Sequence, residues 1–563
     1  MNINGQATTQ YDAIVVGTGI SGGWAAKELC GRGLKTLVLE KGRDVKHIVD
    51  YPTALKAPWE LPHANQLTDE QRKHFPVQGQ GGLLKQDNQH WFVNDLDNPY
   101  TQIKPFSWFR GHHVGGRSLM WGRVSLRWSE MDFEANSKDG FGVDWPIRYA
   151  DIAPWYSHVE KFIGVSGQAA GLAQLPDGEF LPPFELNVVE KEVQKRLAKA
   201  YKDRHLLPSR SANLTVPHNG RGNCQARNKC IRGCPFGGYF SSNASTLPAA
   251  ALTGNMTLRP DSVVAEIIYD DKLGKATGVR VIDSHTNEVI DYHAKIIFLN
   301  ASTLASTSIM LNSVSKRFPN GFGNDSDQLG RNLMDHHHQS GASGTFEGLE
   351  DMYYSGRKPV GFYIPRFRNI GKRDSQFLRG FGYQGGAGRS NWQRGVAELS
   401  IGQQLKATLM EPGKWGMGMT GFGEFLPYQQ NRVTLNTKVR DKWGLATLNI
   451  DCEWQENELL MRKDMAESAA EMLEKCGLKD VKAYNNTIAP GFGIHEMGTA
   501  RMGRDPETSV LNGFNQVHAA KNVFVTDGAC MTSSACQNPS LTYMALTARA
   551  ANYAVDELNR RNL

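Results

Sequence analysis

DAIVVGTGISGGWAAKELCGRGLKTLVLEKG, residues Asp12 to Gly42, decides the fold. It begins with an apolar, β-branched run from Asp12 to Val16, the pattern of a buried strand. Gly17, Gly19 and Gly22 follow at once as G-x-G-x-x-G, and the AAKEL stretch has helical composition. KTLVLEKG then reads as another strand, ending in Glu40, 18 residues beyond Gly22. Strand, turn, helix, strand and acid in this order predict a βαβ unit that binds a dinucleotide. Gly17 permits the tight turn, Gly19 lets the backbone approach a pyrophosphate, and Gly22 lets helix and strand pack closely. The helix N-terminus faces the phosphates, and Glu40 can accept from a ribose hydroxyl.

The chain around this unit has 563 residues, enough for several domains or for one large α/β enzyme with an inserted module. Its 63 Lys+Arg against 57 Asp+Glu leave +6, too dilute for a nucleic-acid surface. With 40% hydrophobic and 21% charged residues and a mean hydropathy of −0.45, the composition is that of a soluble globular protein rather than a disordered chain or a membrane bundle. No apolar stretch reaches the ~18 residues needed to span a bilayer. The opening MNINGQATTQYDAIVVG has no basic, apolar or cleavage region of a Sec-type leader, so export by a leader of its own is not expected.

Residues 85–165 lack periodic runs and suggest loops and short helices. MTLRPDSVVAEIIYD, a turn at Asp271–Gly274, ATGVRVID and AKIIFLNAS return to strands. Residues 341–455 suggest a mainly antiparallel module, followed by an amphipathic helix over 457–475. KNVFVTDGA is a strand, and a helix crosses Pro539–Leu558. The basic stretch from Arg357 to Arg373, broken by Gly and Pro, reads as a solvated hairpin.

Three of the eight cysteines crowd into GNCQARNKCIRGCPFGG, as Cys224-x5-Cys230-x3-Cys234-Pro. Zinc usually takes four ligands in paired C-x2-4-C units, and no second pair lies nearby. Iron–sulfur clusters take thiolates from closely spaced loop cysteines, often with Pro after the last. Three thiolates suit a three-iron cluster. A four-iron cluster with a further ligand, another metal, or incidental small core residues remain open.

Four separated segments resemble the glucose–methanol–choline (GMC) family of flavin oxidoreductases, nearly end to end. They are the Gly17 to Glu40 unit; RGHHVGGRSLMWGR, with Gly115, Gly116 and Ser118; KIIFLNASTLASTSIMLNS with LGRNLMDHHH; and GIHEMGTARMG with NVFVTDGACMTSSACQNPSLTYMALTARAANY. The resemblance implies an α/β (α+β) fold: an FAD-binding Rossmann-like domain from residues 1–130, 220–340 and 490–563, and a mainly antiparallel substrate domain from 131–219 and 341–489. It implies that Gly115, Gly116, Ser118, Met120, Val264 and Asp527 surround the cofactor, and that FAD is held without a covalent bond, since Met120 stands where covalent members carry a flavin-linked His. His495 matches the family's base and Asn538 its partner. Removing a hydroxyl proton as hydride leaves the carbinol calls for such a base. His112, His113 and His336–His338 fall in stretches used for packing near the cofactor, with metal ligation the lesser reading.

The cysteine spacing resembles that of bacterial sugar dehydrogenases with a [3Fe-4S] cluster, which simple oxidases lack. With the overall texture, including RGHHVGGRSLMWGRVSLRW and RNKCIRGCPFGGYFSSNASTLPAA, the resemblance is most to glucoside 3-dehydrogenases, with gluconate 2-dehydrogenase, glucose 1-dehydrogenase and pyranose oxidase as the alternatives. It implies a sugar substrate, a small Tat-exported partner subunit, a cytochrome c acceptor and a periplasmic location through that subunit, or a cytoplasmic one without it. Aromatic and amide residues of 380–430, including Gln384, Gln403 and Glu424, suit a sugar face. The competing class is a non-catalytic nucleotide-binding metalloprotein with the cysteines as a staple, which would have no use for His495 and Asn538.

Overall fold

The structure is a computed structural model describing residues 9–352, 359–389, 401–411 and 413–563. Its first sheet is built on β1 (Gln10–Val16), whose last four residues are buried. β1 runs parallel to β2 (Thr36–Leu39) on one side and to Val289–Leu299 on the other. The sheet continues beyond β2 to Met256–Arg259, and beyond Val289–Leu299 to Ala520–Val525 and Gln516–Val517. Ser262–Asp270 and Lys275–Asp283 form an antiparallel hairpin about the expected turn, with the second arm paired to Val289–Leu299. Because consecutive strands leave β1 in one direction and a distant strand joins it from the other, the strand order reverses at β1. A crevice opens at its carboxyl end.

α1 (Ile20–Gly31) buries most of its length, including Trp24 and Leu29, and packs against the C-terminal helix Ser540–Asn559. That helix is alanine-rich and so lets the two backbones approach closely. It begins at Ser540, directly after Asn538 and Pro539, so its packing on α1 also places Asn538.

The second sheet has the order Lys479–Asn485, Ser340–Phe346, Trp415–Gly423, Phe381–Arg389, Phe362–Ile364 and Leu207–Pro208, all antiparallel. Along Trp415–Gly423 buried and half-buried residues alternate strictly, as the period of two requires. Trp415, Met417 and Met419 pack with Met461, Met465 and Met472 of the helix Glu456–Lys475. The opposite face, carrying Phe422, looks into the crevice.

Two expectations are refined. NRVTLNTKV and LATLNIDCEW form an antiparallel hairpin apart from the larger antiparallel sheet, Arg432–Arg440 with Ala446–Asp451, and Thr101–Gln102 adds to it, parallel with the latter. The basic stretch is not solvated throughout: Arg366 is buried, and Arg368 forms a forked bond with Asp464 at 2.8 and 2.9 Å. Arg357 lies outside the described residues, as do 390–400 of the expected sugar face. Among the described residues no helix is long and apolar enough to cross a membrane.

Candidate active site

One cavity of about 770 Å³ fills the space between the two large sheets. Its dinucleotide end is shaped by the turn after β1. Gly17 has φ +98°, and a Cβ there would overlap the Asn300 carbonyl. A Cβ on Gly22 would overlap the Gly17 carbonyl, whereas one on Gly19 would meet no protein atom within 4 Å. Gly17 and Gly22 are thus glycines for the protein's own packing, and Gly19 leaves space toward the cavity.

Glu40 accepts from the Thr18 amide at 3.2 Å, the Thr18 hydroxyl at 2.5 Å and the Gly42 amide at 3.1 Å. Burial pushes its carboxyl up to about 7. Thr18 Oγ1 in turn accepts from the Gly115 amide at 2.9 Å, tying the second glycine loop to the first. There Gly115 has φ +91° and a Cβ would overlap Asn243 Oδ1, while Gly116 comes up to Gly19. Ser118 Oγ donates to the Gly115 carbonyl at 2.6 Å and accepts from the Ser242 amide at 3.0 Å. Asp527 accepts from Ser306 Oγ at 2.5 Å and the Ala529 amide at 2.9 Å, and burial raises its carboxyl to about 6. Asn300 lines the cavity with its Oδ1 buried and unpartnered. A glycine cradle, a free carbonyl and two carboxyls on one long cavity fit a dinucleotide.

At the seam with the second sheet lies His495. The segments 334–338 and 493–497 are joined by a bridge between Met334 and Met497, and both oxygens of Asp335 hold main chain: Oδ2 accepts from Gly493 N at 2.8 Å, Oδ1 from His495 N at 2.9 Å. His495 Nδ1 lies 2.9 Å from His336 Nδ1, and its Nε2 3.4 Å from Asn538 Nδ2. Asn538 Oδ1 accepts from Gln384 Nε2 at 2.7 Å, which turns the Asn538 amide NH2 toward His495. Burial, then His336 and Arg117, hold the His495 imidazole well below the usual histidine range, so it is a neutral base. Arg117 grips Glu496 with two bonds, at 2.7 and 3.1 Å, fastening the His495 loop to the glycine loop.

Every cofactor-side residue named from the sequence except Gly22 and Gly115 lines this cavity, together with His495 and Asn538. Val264 does so from the hairpin strand Ser262–Asp270, and Met120 from the end of the glycine loop. Of the three sugar-face candidates named individually, Gln384 reaches it, as does the aromatic Phe422 of the same stretch. Gln403 is exposed on the helix Gly402–Met410. Glu424 is 1% exposed and paired with Arg379 at 2.8 Å, a core ion pair rather than a binding residue. The contact of His336 with His495 was missed; two histidines 159 positions apart carry no local signal.

Cys224, Cys230 and Cys234 are free, partly exposed thiols on one loop. Cys224 Sγ accepts from Ala226 N and Cys234 Sγ from Gly238 N, each at 3.4 Å. Ile231, inside the same loop, lines the cavity, and the Tyr239 hydroxyl points to the carbonyls of Leu119 at 2.8 Å and Cys230 at 3.1 Å. Among the described residues no group of three His, Cys, Asp or Glu is placed to hold a metal ion; the runs at 112–113 and 336–338 include rings bonded to main-chain carbonyls, such as His113 to Val114 and His337 to Glu424.

Residues 11–338 and 427–547 match two family models, each described as GMC oxidoreductase. A 2-methyl-1,2-propanediol dehydrogenase of Mycolicibacterium austroafricanum is 28% identical, over 97% of this chain and 95% of its own. The fructose dehydrogenase large subunit of Gluconobacter japonicus is 27% identical, over 98% of this chain and 99% of its own. The solved pyridoxine 4-oxidase from Mesorbium loti superposes with a TM-score of 0.60 at 14% identity, covering 97% of this chain and 99% of that one, a likeness of fold.

Proposed function

We propose, from the premise that this chain belongs to the GMC oxidoreductase family, that it is an FAD-dependent dehydrogenase oxidising a secondary hydroxyl of a glucopyranoside, at C3, to the keto sugar. Bound in the cradle, FAD supplies the hydride acceptor. The observation that carries the reading is the pair at the seam: a neutral His495 whose Nε2 faces the Asn538 amide inside the cavity. His495 Nε2 accepts the hydroxyl proton while Asn538, oriented by Gln384, donates to the same oxygen and fixes its position. Met120 offers no ring nitrogen for a covalent link, which supports non-covalent FAD. The C3 position rests on the segments that resemble glucoside 3-dehydrogenases.

Cys224, Cys230 and Cys234 would hold a [3Fe-4S] cluster, which supplies one-electron transfer to an outside acceptor such as a cytochrome c. Three soft thiols on one loop, two of them accepting backbone N–H bonds, are the donor type that such a cluster takes, and binding it would have to draw them together, since among the described residues no three are placed to hold a metal ion. The loop abuts the cavity at Ile231. A chain of this kind would work with a small subunit that carries a twin-arginine leader, in the periplasm.

The test is anaerobic incubation of the FAD-loaded protein with methyl glucosides, lactose and gluconate, with each ketone placed by NMR. Bleaching of the flavin bands by a glucoside with a carbonyl at C3 supports the reading. Bleaching by gluconate alone, or by none of them, removes it.

A further inference from the structure

His336 sits behind His495, away from the cavity, and is 1% exposed. Its Nε2 faces two main-chain carbonyls, Ala535 at 3.0 Å and Ser534 at 3.2 Å. A carbonyl oxygen only accepts, so His336 Nε2 must carry a hydrogen. The ring is buried, and burial takes its pKa down to about 4, so it holds only that one proton near neutral pH. Its Nδ1 is therefore a bare lone pair, and the contact at 2.9 Å requires His495 Nδ1 to be the donor. A neutral His495 with its hydrogen on Nδ1 has a free lone pair on Nε2, the nitrogen that faces the Asn538 amide.

The reverse polarity fails on each count. It would leave His336 Nε2 bare against two carbonyl oxygens or make a buried imidazolium with no carboxylate on it. The carboxylates nearby are otherwise engaged: Asp335 holds the amides of Gly493 and His495, and Glu496 holds Arg117. The remaining groups acting on His495 are Arg117 and His338, both of which disfavour its protonation, and His338 Nε2 lies on the Phe492 carbonyl at 3.1 Å.

We infer that His336 is a positioning residue: held by two main-chain carbonyls, its imidazole fixes His495 in the Nδ1–H tautomer and so presents Nε2 as the base. This deepens the proposed oxidation and rests on it for the identity of the proton. The chain of bonds ends at carbonyls, which take no proton, so His336 orients the base without acting as a relay. A neutral acceptor also stabilises the charged form of His495 less than a carboxylate would.

The experiment uses FAD-loaded protein labelled with 15N-histidine, the His495 ring signals being assigned by their loss in His495→Gln. Nδ1 should report as N–H and Nε2 as a bare nitrogen. His336→Leu should lose this preference and slow flavin reduction by about 100-fold at saturating sugar, with the saturation constant little changed. His336→Asn, whose Oδ1 can accept where Nδ1 did, should restore the tautomer and most of the rate. The inference is overturned by a wild-type His495 protonated on Nε2, by a His336→Leu protein with wild-type tautomer, or by a folded, FAD-bound His336→Asn protein as slow as His336→Leu. If no sugar bleaches the flavin, the substrate reading falls while the nitrogen signals still decide the tautomer.

Discussion

Replacing Arg117 by Met should weaken the protein through its partner rather than through its own lost contacts. Arg117 donates to both oxygens of Glu496, a carboxylate with 1% side-chain exposure. Removing the guanidinium strands that charge beside Asp335, whose carboxyl is already pushed up to about 7, first by burial and then by Glu496. Breaking a buried pair costs about 3–5 kcal/mol. Arg117 is 30% exposed to the cavity, so water can enter and the low end, about 3 kcal/mol, applies. The unfolding entropy scales with length, and for a chain of this size about 3 kcal/mol lowers the melting midpoint by roughly 2–3 °C. Scanning calorimetry on Arg117→Met, Glu496→Gln and the double variant measures this. The double variant should recover part of the loss, because it removes the charge. A single variant as stable as wild type, or a double variant worse than the single, would refute the reasoning.

Gly19 and Gly22 should separate cofactor binding from folding. Gly22→Ala collides with the Gly17 carbonyl and should lower stability and FAD content together, whereas Gly19→Ala meets no protein atom and should weaken FAD binding by at least ~10-fold at unchanged apoprotein stability; equal apoprotein losses would contradict this. Glu40 has a folded pKa of about 7, above its unfolded value, so its contribution is full at low pH and is lost as pH rises through 7. Urea midpoints of the apoprotein at pH 5 and pH 8 should therefore differ less in Glu40→Gln than in wild type, and an unchanged difference removes Glu40 as the cause. Cys230→Ser should leave flavin reduction by sugar largely intact and abolish reduction of a cytochrome c; a normal cytochrome rate ends the cluster proposal.

The dinucleotide half was legible because its reasons are local. A β-branched run, glycines at G-x-G-x-x-G spacing and an acid at the end of β2 are all set within about 30 residues of chain. The hairpin around Asp271–Gly274 and the helix on 456–475 were legible for the same reason. The candidate catalytic seam was only half legible. His495 and Asn538 could be named from a resemblance, but what aims them comes from elsewhere in the chain: His336 through the Met334–Met497 bridge, and Gln384 from a strand of the second sheet. Glu424, one position past the strand Trp415–Gly423, misled because polar residues in and beside strands look alike in sequence, and the position of Arg379 shows that it belongs to the core. The third strand of the sheet of 432–451 is two residues near position 101, too short to carry a pattern of its own.

Anaerobic stopped-flow reduction of the FAD-loaded protein by a methyl glucoside, wild type against His495→Ala, tests most directly whether hydride leaves a sugar carbon as His495 takes the proton. The flavin bands of the wild type should bleach, and those of His495→Ala should bleach at least ~100-fold more slowly with FAD still bound. Equal rates in the two proteins would contradict the account.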